Sequence, residues 1–182
     1  MRRLLVVIAS TRPGRVGPAV GDWVVTRVHE HGGFELDIAD LAQLQLPFLD
    51  EPAHPRLRTY SNQHTRLWSE QVERADAVIF VMPEYNHSFT APLKNALDFL
   101  FHEWNDKRVG LVSYGGLAGG TRAVVAVQPV LANLGMRGVH SNVEIAWVAE
   151  HVTDGVFTAT ERHERALAAQ LDELAVGQGQ HG

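Results

Sequence analysis

Eight residues near the start, Ser10-Thr11-Arg12-Pro13-Gly14-Arg15-Val16-Gly17, carry the groups that hold a phosphate monoester. Such an anion takes several N–H and O–H donors together with positive charge, and it gains from a helix N-terminus aimed at it. Ser10 and Thr11 offer hydroxyls, and Arg12 and Arg15 offer guanidinium forks. Gly14 and Gly17 let the backbone come close. The alternative is a surface turn with two solvated arginines. The apolar run before the stretch and Pro18 after it, a residue favoured at the first helical position, point to a strand–loop–helix unit and so to phosphate.

Two further loops carry polar groups of the same kind. Pro83-Glu84-Tyr85-Asn86-His87-Ser88 follows the apolar run AVIFVM and precedes LKNALDFL, in which Leu93, Ala96, Leu97 and Leu100 share one helical face. Ser113-Tyr114-Gly115-Gly116-Leu117-Ala118-Gly119-Gly120-Thr121 follows another apolar run. Its glycines make a backbone-lined wall able to approach a flat ring. Better-known motifs fail here. Gly14, Gly17 and Gly21 have the wrong spacing for G-x-G-x-x-G, and Thr121-Arg122 stands where a P-loop needs Lys-Ser/Thr. Ser113 has Leu111, not Gly, two residues before it, which excludes a serine-hydrolase elbow. The ten histidines fall in no metal-ligand spacing. With no cysteine, thiolate chemistry is excluded, and any redox chemistry must come from a bound cofactor.

The formal charge is −5, with 16 Lys and Arg against 21 Asp and Glu and no basic block, which argues against a nucleic-acid groove. MRRLLVVIAST mimics a signal peptide, but its apolar run is short and TRPGR follows in place of a cleavage site. No stretch reaches membrane-spanning length. A soluble, cytoplasmic protein is expected.

The elements that must position the three loops can be read in order. Residues 4–9 form a buried strand and 18–31 a helix stopped by Gly32-Gly33. FELDIAD (34–40) alternates as an edge strand does. The stretch 41–56, with Pro47, Pro52 and Pro55, is a long loop suited to a lid or rim. Residues 57–75 carry a helical stripe at Leu57, Tyr60, Leu67, Val72 and Ala75. Strand 77–82, helix 93–100 and strand 108–114 follow. A helix capped at Gly120 or Thr121 then runs to about 134 with Pro129 inside it. A last strand falls within 139–148, and a last helix over 160–175 turns Leu167, Leu171 and Leu174 inward. VGQGQHG at the end reads as frayed. The tryptophans at 23, 68, 104 and 147 read as core or subunit-contact groups. Alternation of this kind gives an α/β fold, one domain over 1–182, with a five-stranded parallel sheet between helices. Its size suits the flavodoxin-like order 2-1-3-4-5. That order brings the loops at 10–17 and 83–90 together at the topological switch, which is where flavodoxin holds FMN.

With AST-R-PGR at 9–15, PEYNHSFTAPLKNALD at 83–98 and SYGGLAGGTRA at 113–123 in this order, the chain resembles the NAD(P)H-dependent FMN reductase family of flavodoxin-like proteins. That family has chromate-, quinone- and azo-dye-reducing members. Ala9 stands where Gly is common and Met82 where Thr often precedes the proline; neither removes a donor. The resemblance implies that Ser10, Arg12, Arg15, Val16 and Gly17 hold the FMN phosphate. Pro83, Glu84, Tyr85 and Asn86 would line the isoalloxazine, through main-chain groups and the Tyr85 ring. Ser113, Tyr114, Gly115 and Gly116 would close the far side. It implies NADPH or NADH as co-substrate, a small-molecule electron acceptor (free flavin, quinone, azo compound or metal oxyanion) and a homodimer or homotetramer. No side chain is assigned as general acid or base. The alternative, a flavodoxin-type electron carrier or redox-sensing FMN protein, fits less well, because carriers of that kind are strongly acidic and use Ser/Thr-rich phosphate loops.

Overall fold

The apolar runs near residues 4 and 77 have no polar face, so each must be covered on both sides, and a parallel sheet between two helix layers does this. In the computed structural model, which describes residues 1–176, the two runs lie side by side at the sheet centre. The strands β1 (Arg2–Ile8), β2 (Phe34–Asp40), β3 (Ala77–Pro83), β4 (Arg108–Tyr114) and β5 (Arg137–Gly138) are all parallel, in the order β2-β1-β3-β4-β5. This is the order expected from the sequence. The frayed end expected for residues 177–182 lies outside the described residues.

Side chains alternate across the sheet and build two cores. Leu5, Val7, Val78 and Phe80 meet Trp68, Leu93, Leu97 and Trp104 on one face, covered by α3 (Gln63–Arg74), α4 (Ala91–Asp98) and α5 (Thr121–Asn133). Leu4, Val6, Ile79 and Val81 meet Val20, Trp23, Val24, Leu167 and Leu171 on the other, covered by α1 (Gly17–His31) and α6 (Glu161–Ala175). Gly32, at φ 69°, ends α1 in the left-handed conformation that favours glycine. Thr160 caps α6 in a box whose second member is His163 rather than Glu or Gln.

The fifth strand position is split. β6 (Val143–Ile145) pairs with the carboxyl-terminal half of β4, and residues 140–142 leave the ladder between it and β5. A single strand within 139–148 was expected. The gap is bridged by the buried Gln170, whose Nε2 donates to the carbonyls of Leu111 (3.0 Å) and Ser141 (2.6 Å). Gly110 leaves room for it, since a Cβ there would lie 2.6 Å from the Gln170 amide carbon. A small hairpin of β7 (Val152–Thr153) and β8 (Val156–Phe157) precedes α6 and was not anticipated.

Two expectations need correction. The helix expected over 57–75 begins only at Gln63, and its buried face is Thr65, Trp68, Ser69 and Val72, with Leu67 exposed. Leu57 belongs to a 3-10 turn, Pro55–Leu57, closed by Arg58 at φ 51°. The stretch 41–56 is a fastened rim. It opens with a short helix, α2 (Leu41–Leu44), whose cap is the Asp40 carboxylate. Asn95 then donates to the Pro47 carbonyl (2.7 Å) and accepts from Leu49 N–H (3.0 Å), while Glu51 accepts from the amides of Ser61 (2.8 Å) and Asn62 (3.0 Å).

Glu103 anchors the segment that follows the rim. It is 2% exposed and accepts from Ser69 Oγ (2.7 Å) and Tyr60 OH (2.8 Å), with Arg58 Nε 3.6 Å away. Burial acts to raise its pKa, but the hydrogen bonds from Ser69, the backbone and Tyr60, together with Arg58, outweigh burial and hold it below the usual carboxylate range. A depressed folded-state pKa stabilises the fold above the unfolded value and loses that contribution as pH falls through the folded one. Glu103→Gln should therefore cost about 1–3 kcal/mol near neutral pH. Urea titrations should show the gap to wild type shrinking as the pH is lowered below the ordinary carboxylate pKa; an equal gap at both ends would mean that the charge contributes nothing.

Candidate functional site

The chain leaves β1 in line, with Ala9 N–H donating to the Val81 carbonyl (2.9 Å), and then turns into the phosphate-type loop. Ser10 is 1% exposed. Helix α1 starts at Gly17 with Pro18 in its first turn, no acidic residue there and no side-chain cap from Val16. Its first amides and positive dipole end therefore face the loop without an internal acceptor. Ser10 Oγ and Tyr114 OH are both buried without a hydrogen-bond partner among the described residues. They converge on Gly17, where a Cβ would fall 2.0 Å from Ser10 Oγ and 2.8 Å from Tyr114 OH. Burial pushes the Tyr114 phenol pKa up, against the neighbouring Ser10 hydroxyl and the charges of Arg15 and Arg12, so it stays a proton donor. Two buried donor hydroxyls under a bare helix N-terminus, at a cradle that any side chain would fill, are the donor set a phosphate group takes.

The two arginines of the loop differ. Arg15, expected to grip the phosphate, places Nη1 and Nη2 on the two Asp40 carboxylate oxygens (2.7 and 2.6 Å) and Nη1 also on the Ser10 carbonyl (2.7 Å). The Asp40 hydrogen bonds raise its pKa against the opposing effect of burial. Most of its fork is spent on protein, fixing the loop to the end of β2. Arg12 is exposed, and its guanidinium makes no hydrogen bond or ion pair within the described residues, so it is the cation left for a ligand.

The second loop is a two-residue turn. Tyr85 and Ser88 exchange N–H···O bonds of 2.9 and 3.0 Å, and Asn86 and His87 both have positive φ (50° and 65°), as in a type I′ turn. Glu84 N–H donates to the Tyr114 carbonyl (3.0 Å). The Glu84 carboxylate accepts from the Arg122 amide (3.1 Å) and pairs with the Arg122 guanidinium, whose Nη1 lies 2.7 Å from His87 Nε2. A guanidinium only donates, so His87 accepts at Nε2 and carries its proton on Nδ1. Glu84 is thus a bracket between loops two and three, and the Tyr85 ring stays half-exposed.

In the third loop the Ser113 hydroxyl is fully buried and donates to the Gly119 carbonyl (2.9 Å), so it shapes the loop. Gly120, at φ 90°, starts α5, and a Cβ on it would lie 2.6 Å from Ser113 Cβ. Gly115 and Gly116 are stitched on their outer side to the segment after β6, with Gly115 N–H on the Ile145 carbonyl (3.1 Å) and Trp147 N–H on the Gly116 carbonyl (3.0 Å). Loop two is tied to loop one by Thr90 Oγ1, which donates to the Ala9 carbonyl (2.9 Å) and accepts from Leu93 N–H at the start of α4. All three loops therefore meet at the carboxyl edge of adjacent strands. Beside Thr11 opens an apolar groove of about 460 Å³ between Leu41, Leu46, Phe48 and Pro92.

Asp40, Thr90 and Arg122 are structural partners of the candidate site that the sequence reading missed, whereas Trp147 lies close in sequence to its edge. Asp40 ends a strand whose polar positions also include Glu35 and Asp37, so nothing singled it out. Arg122 follows the third loop directly and was the most findable. Trp104 is fully buried against Trp68 and Phe80 and belongs to the core.

Residues 2–149 match the family model described as NADPH-dependent FMN reductase. NAD(P)H-dependent FMN reductase LOT6 of Saccharomyces cerevisiae is 34% identical over 180 residues, covering 93% of this chain and 91% of that protein. NAD(P)H-dependent FMN reductase C4B3.06c of Schizosaccharomyces pombe is 39% identical over 120 residues, which span 65% of this chain but only 60% of the relative's length. Among solved structures, FerB, a flavoenzyme NAD(P)H:(acceptor) oxidoreductase from Paracoccus denitrificans, superposes with a TM-score of 0.75 at 21% identity, covering 96% of this chain and 97% of that one, a likeness of fold. The match over most of the chain, and the full-length likeness to the budding-yeast protein, place this chain in the NADPH-dependent FMN reductase family.

Proposed function

We propose that this chain is a single-domain, FMN-dependent NAD(P)H oxidoreductase that passes electrons to a small-molecule acceptor. The observation that carries the reading is the convergence of Ser10 Oγ, Tyr114 OH and Gly17 on the uncapped start of α1, beneath the unpaired Arg12. When bound, FMN supplies the redox chemistry, accepting hydride from a reduced nicotinamide and delivering electrons onward. Ser10, the Tyr114 hydroxyl, Arg12 and the backbone of Val16 and Gly17 would hold its phosphate, and Arg15, through Asp40, would hold the loop in shape. Pro83, Glu84, Tyr85 and Asn86 would offer one wall to the ring and Tyr114, Gly115 and Gly116 the other, with Ser113 behind them. The Asn86 and Gly116 N–H groups, which make no hydrogen bond within the described residues, would suit the charge that a reduced flavin carries on its pyrimidine edge. The apolar groove beside Thr11 suits a flat acceptor such as a quinone, an azo compound or free flavin. Such an enzyme would work in the cytoplasm as a homodimer or homotetramer. In the described residues no helix is long and apolar enough to cross a membrane.

Anaerobic mixing of the FMN-loaded protein with NADPH or NADH should bleach the flavin absorbance, and an added quinone should restore it. A protein that stays yellow with both nucleotides is a carrier, and the reading fails. Arg12→Ala should weaken FMN binding by about 1.5–3 kcal/mol, the worth of a charge-assisted hydrogen bond. An unchanged FMN dissociation constant would show that Arg12 faces only solvent. Gly17→Ala should close the cradle, because its new Cβ would meet Ser10 Oγ at 2.0 Å; the expected product is a folded protein that no longer retains FMN on gel filtration.

A further inference from the structure

A second cavity, of about 420 Å³, lies against the third loop. None of its lining residues belongs to the phosphate loop. It shares Leu117, Ala118 and Gly119 with the glycine wall and is completed by Trp147, His151 and the first turn of α6 at Arg162. Trp147 is 51% exposed and sits at φ 50°, a left-handed conformation that bulky residues rarely adopt. The strain is held in place by the glycine loop, because Trp147 N–H donates to the Gly116 carbonyl and Val148 N–H to that of Gly115. Strained backbone that presents a side chain beside a site is a recurrent functional feature. The indole makes no hydrogen bond and no ring contact with other described residues.

Arg162 is the second unexplained group. It is exposed and makes no hydrogen bond or ion pair within the described residues, whereas its neighbours Arg27 and Arg165 pair with Glu164 and Glu161. A cation in the first turn of a helix works against the dipole. His151 and His163 stand edge to face nearby, ring centroids 5.3 Å apart. Burial, then His151 and Arg162, push the His163 pKa down against the opposing charge of Glu164. The cavity's carboxylate, Glu144, is engaged by the Thr121 hydroxyl (3.0 Å).

We infer that this cavity receives the adenosine 2′-phosphate end of NADPH, the base stacking on Trp147 and the phosphate monoester meeting Arg162. The inference rests on the proposed hydride transfer from a nicotinamide nucleotide at the adjoining ring site. One loop, 115–120, would then serve both ends of the same dinucleotide. A wholly apolar ligand would leave Arg162 unused, and free phosphate would leave Trp147 unused; a phosphorylated planar base uses both. Because only NADPH carries that phosphate, Arg162 is the residue that would set preference over NADH.

The test is calorimetric titration of the FMN-loaded protein with 2′,5′-ADP and with 5′-ADP. The 2′-phosphorylated nucleotide should bind about tenfold tighter, Arg162→Ala should remove that difference, and Trp147→Ala should weaken both while Trp147→Phe restores them. In steady state, Arg162→Ala should lower the ratio of kcat/KM for NADPH over NADH by about tenfold, through KM. Equal binding of the two nucleotides by the wild type, or an Arg162→Ala variant with an unchanged ratio, would overturn the assignment even though the flavin is still reduced. Failure of both nucleotides to bleach the flavin would instead bring down the function reading, and the 2′,5′-ADP titration would still decide this site by itself.

Discussion

Burial of β1 and β3 on both faces is the constraint from which the rest of the molecule follows. A strand without a polar side must sit inside a parallel sheet, and parallel strands need crossovers that lay helices over both faces. Right-handed crossovers then fix which strands are neighbours, and β1, β3 and β4 become adjacent. Their carboxyl ends open at one edge, so three loops far apart in sequence share a single rim. The chemistry at that rim is a consequence of the core and not an addition to it.

Adjacent strand ends do not by themselves make a shaped site. The loops are joined by a few bonds that each span a gap between elements: Thr90 to Ala9, Glu84 to Tyr114 and Arg122, and Arg15 to Asp40 and Ser10. Glu84 spends its carboxylate on Arg122, and the Tyr85 ring stays half-exposed. Arg15 turns to Asp40, so Arg12 stays free. The cost of this arrangement lies in Ser10 and Tyr114, whose buried hydroxyls have no protein partner; a buried polar group left so costs about 1–3 kcal/mol.

The far edge of the sheet is built differently. There the fifth strand is broken, and the buried amide of Gln170 replaces part of the ladder by holding Leu111 and Ser141 together. The end of β6 and the chain after it run along the glycine loop, where Ile145, Trp147 and Val148 hydrogen-bond to Gly115 and Gly116. The wall of the candidate ring site is therefore supported by the part of the chain with the weakest pattern.

Apolar runs, glycine and proline stops and helical spacing, all of them local properties, made the layer architecture and the positions of the three loops legible in the sequence, whereas the strand order came from the likeness to flavodoxin and from no local pattern. The loops that carry Ser10, Gly17 and Tyr114 were legible in it, and in the fold these three residues lie together. Only the tertiary structure decided which arginine is spent and which is free, since the choice depends on Asp40, 25 residues from Arg15. It decided likewise that Ser113 shapes its loop, that the fifth strand is split and that Trp147 faces outward. Each of these is set by a partner from another element, and hydrogen-bond partners across space leave no period in a sequence.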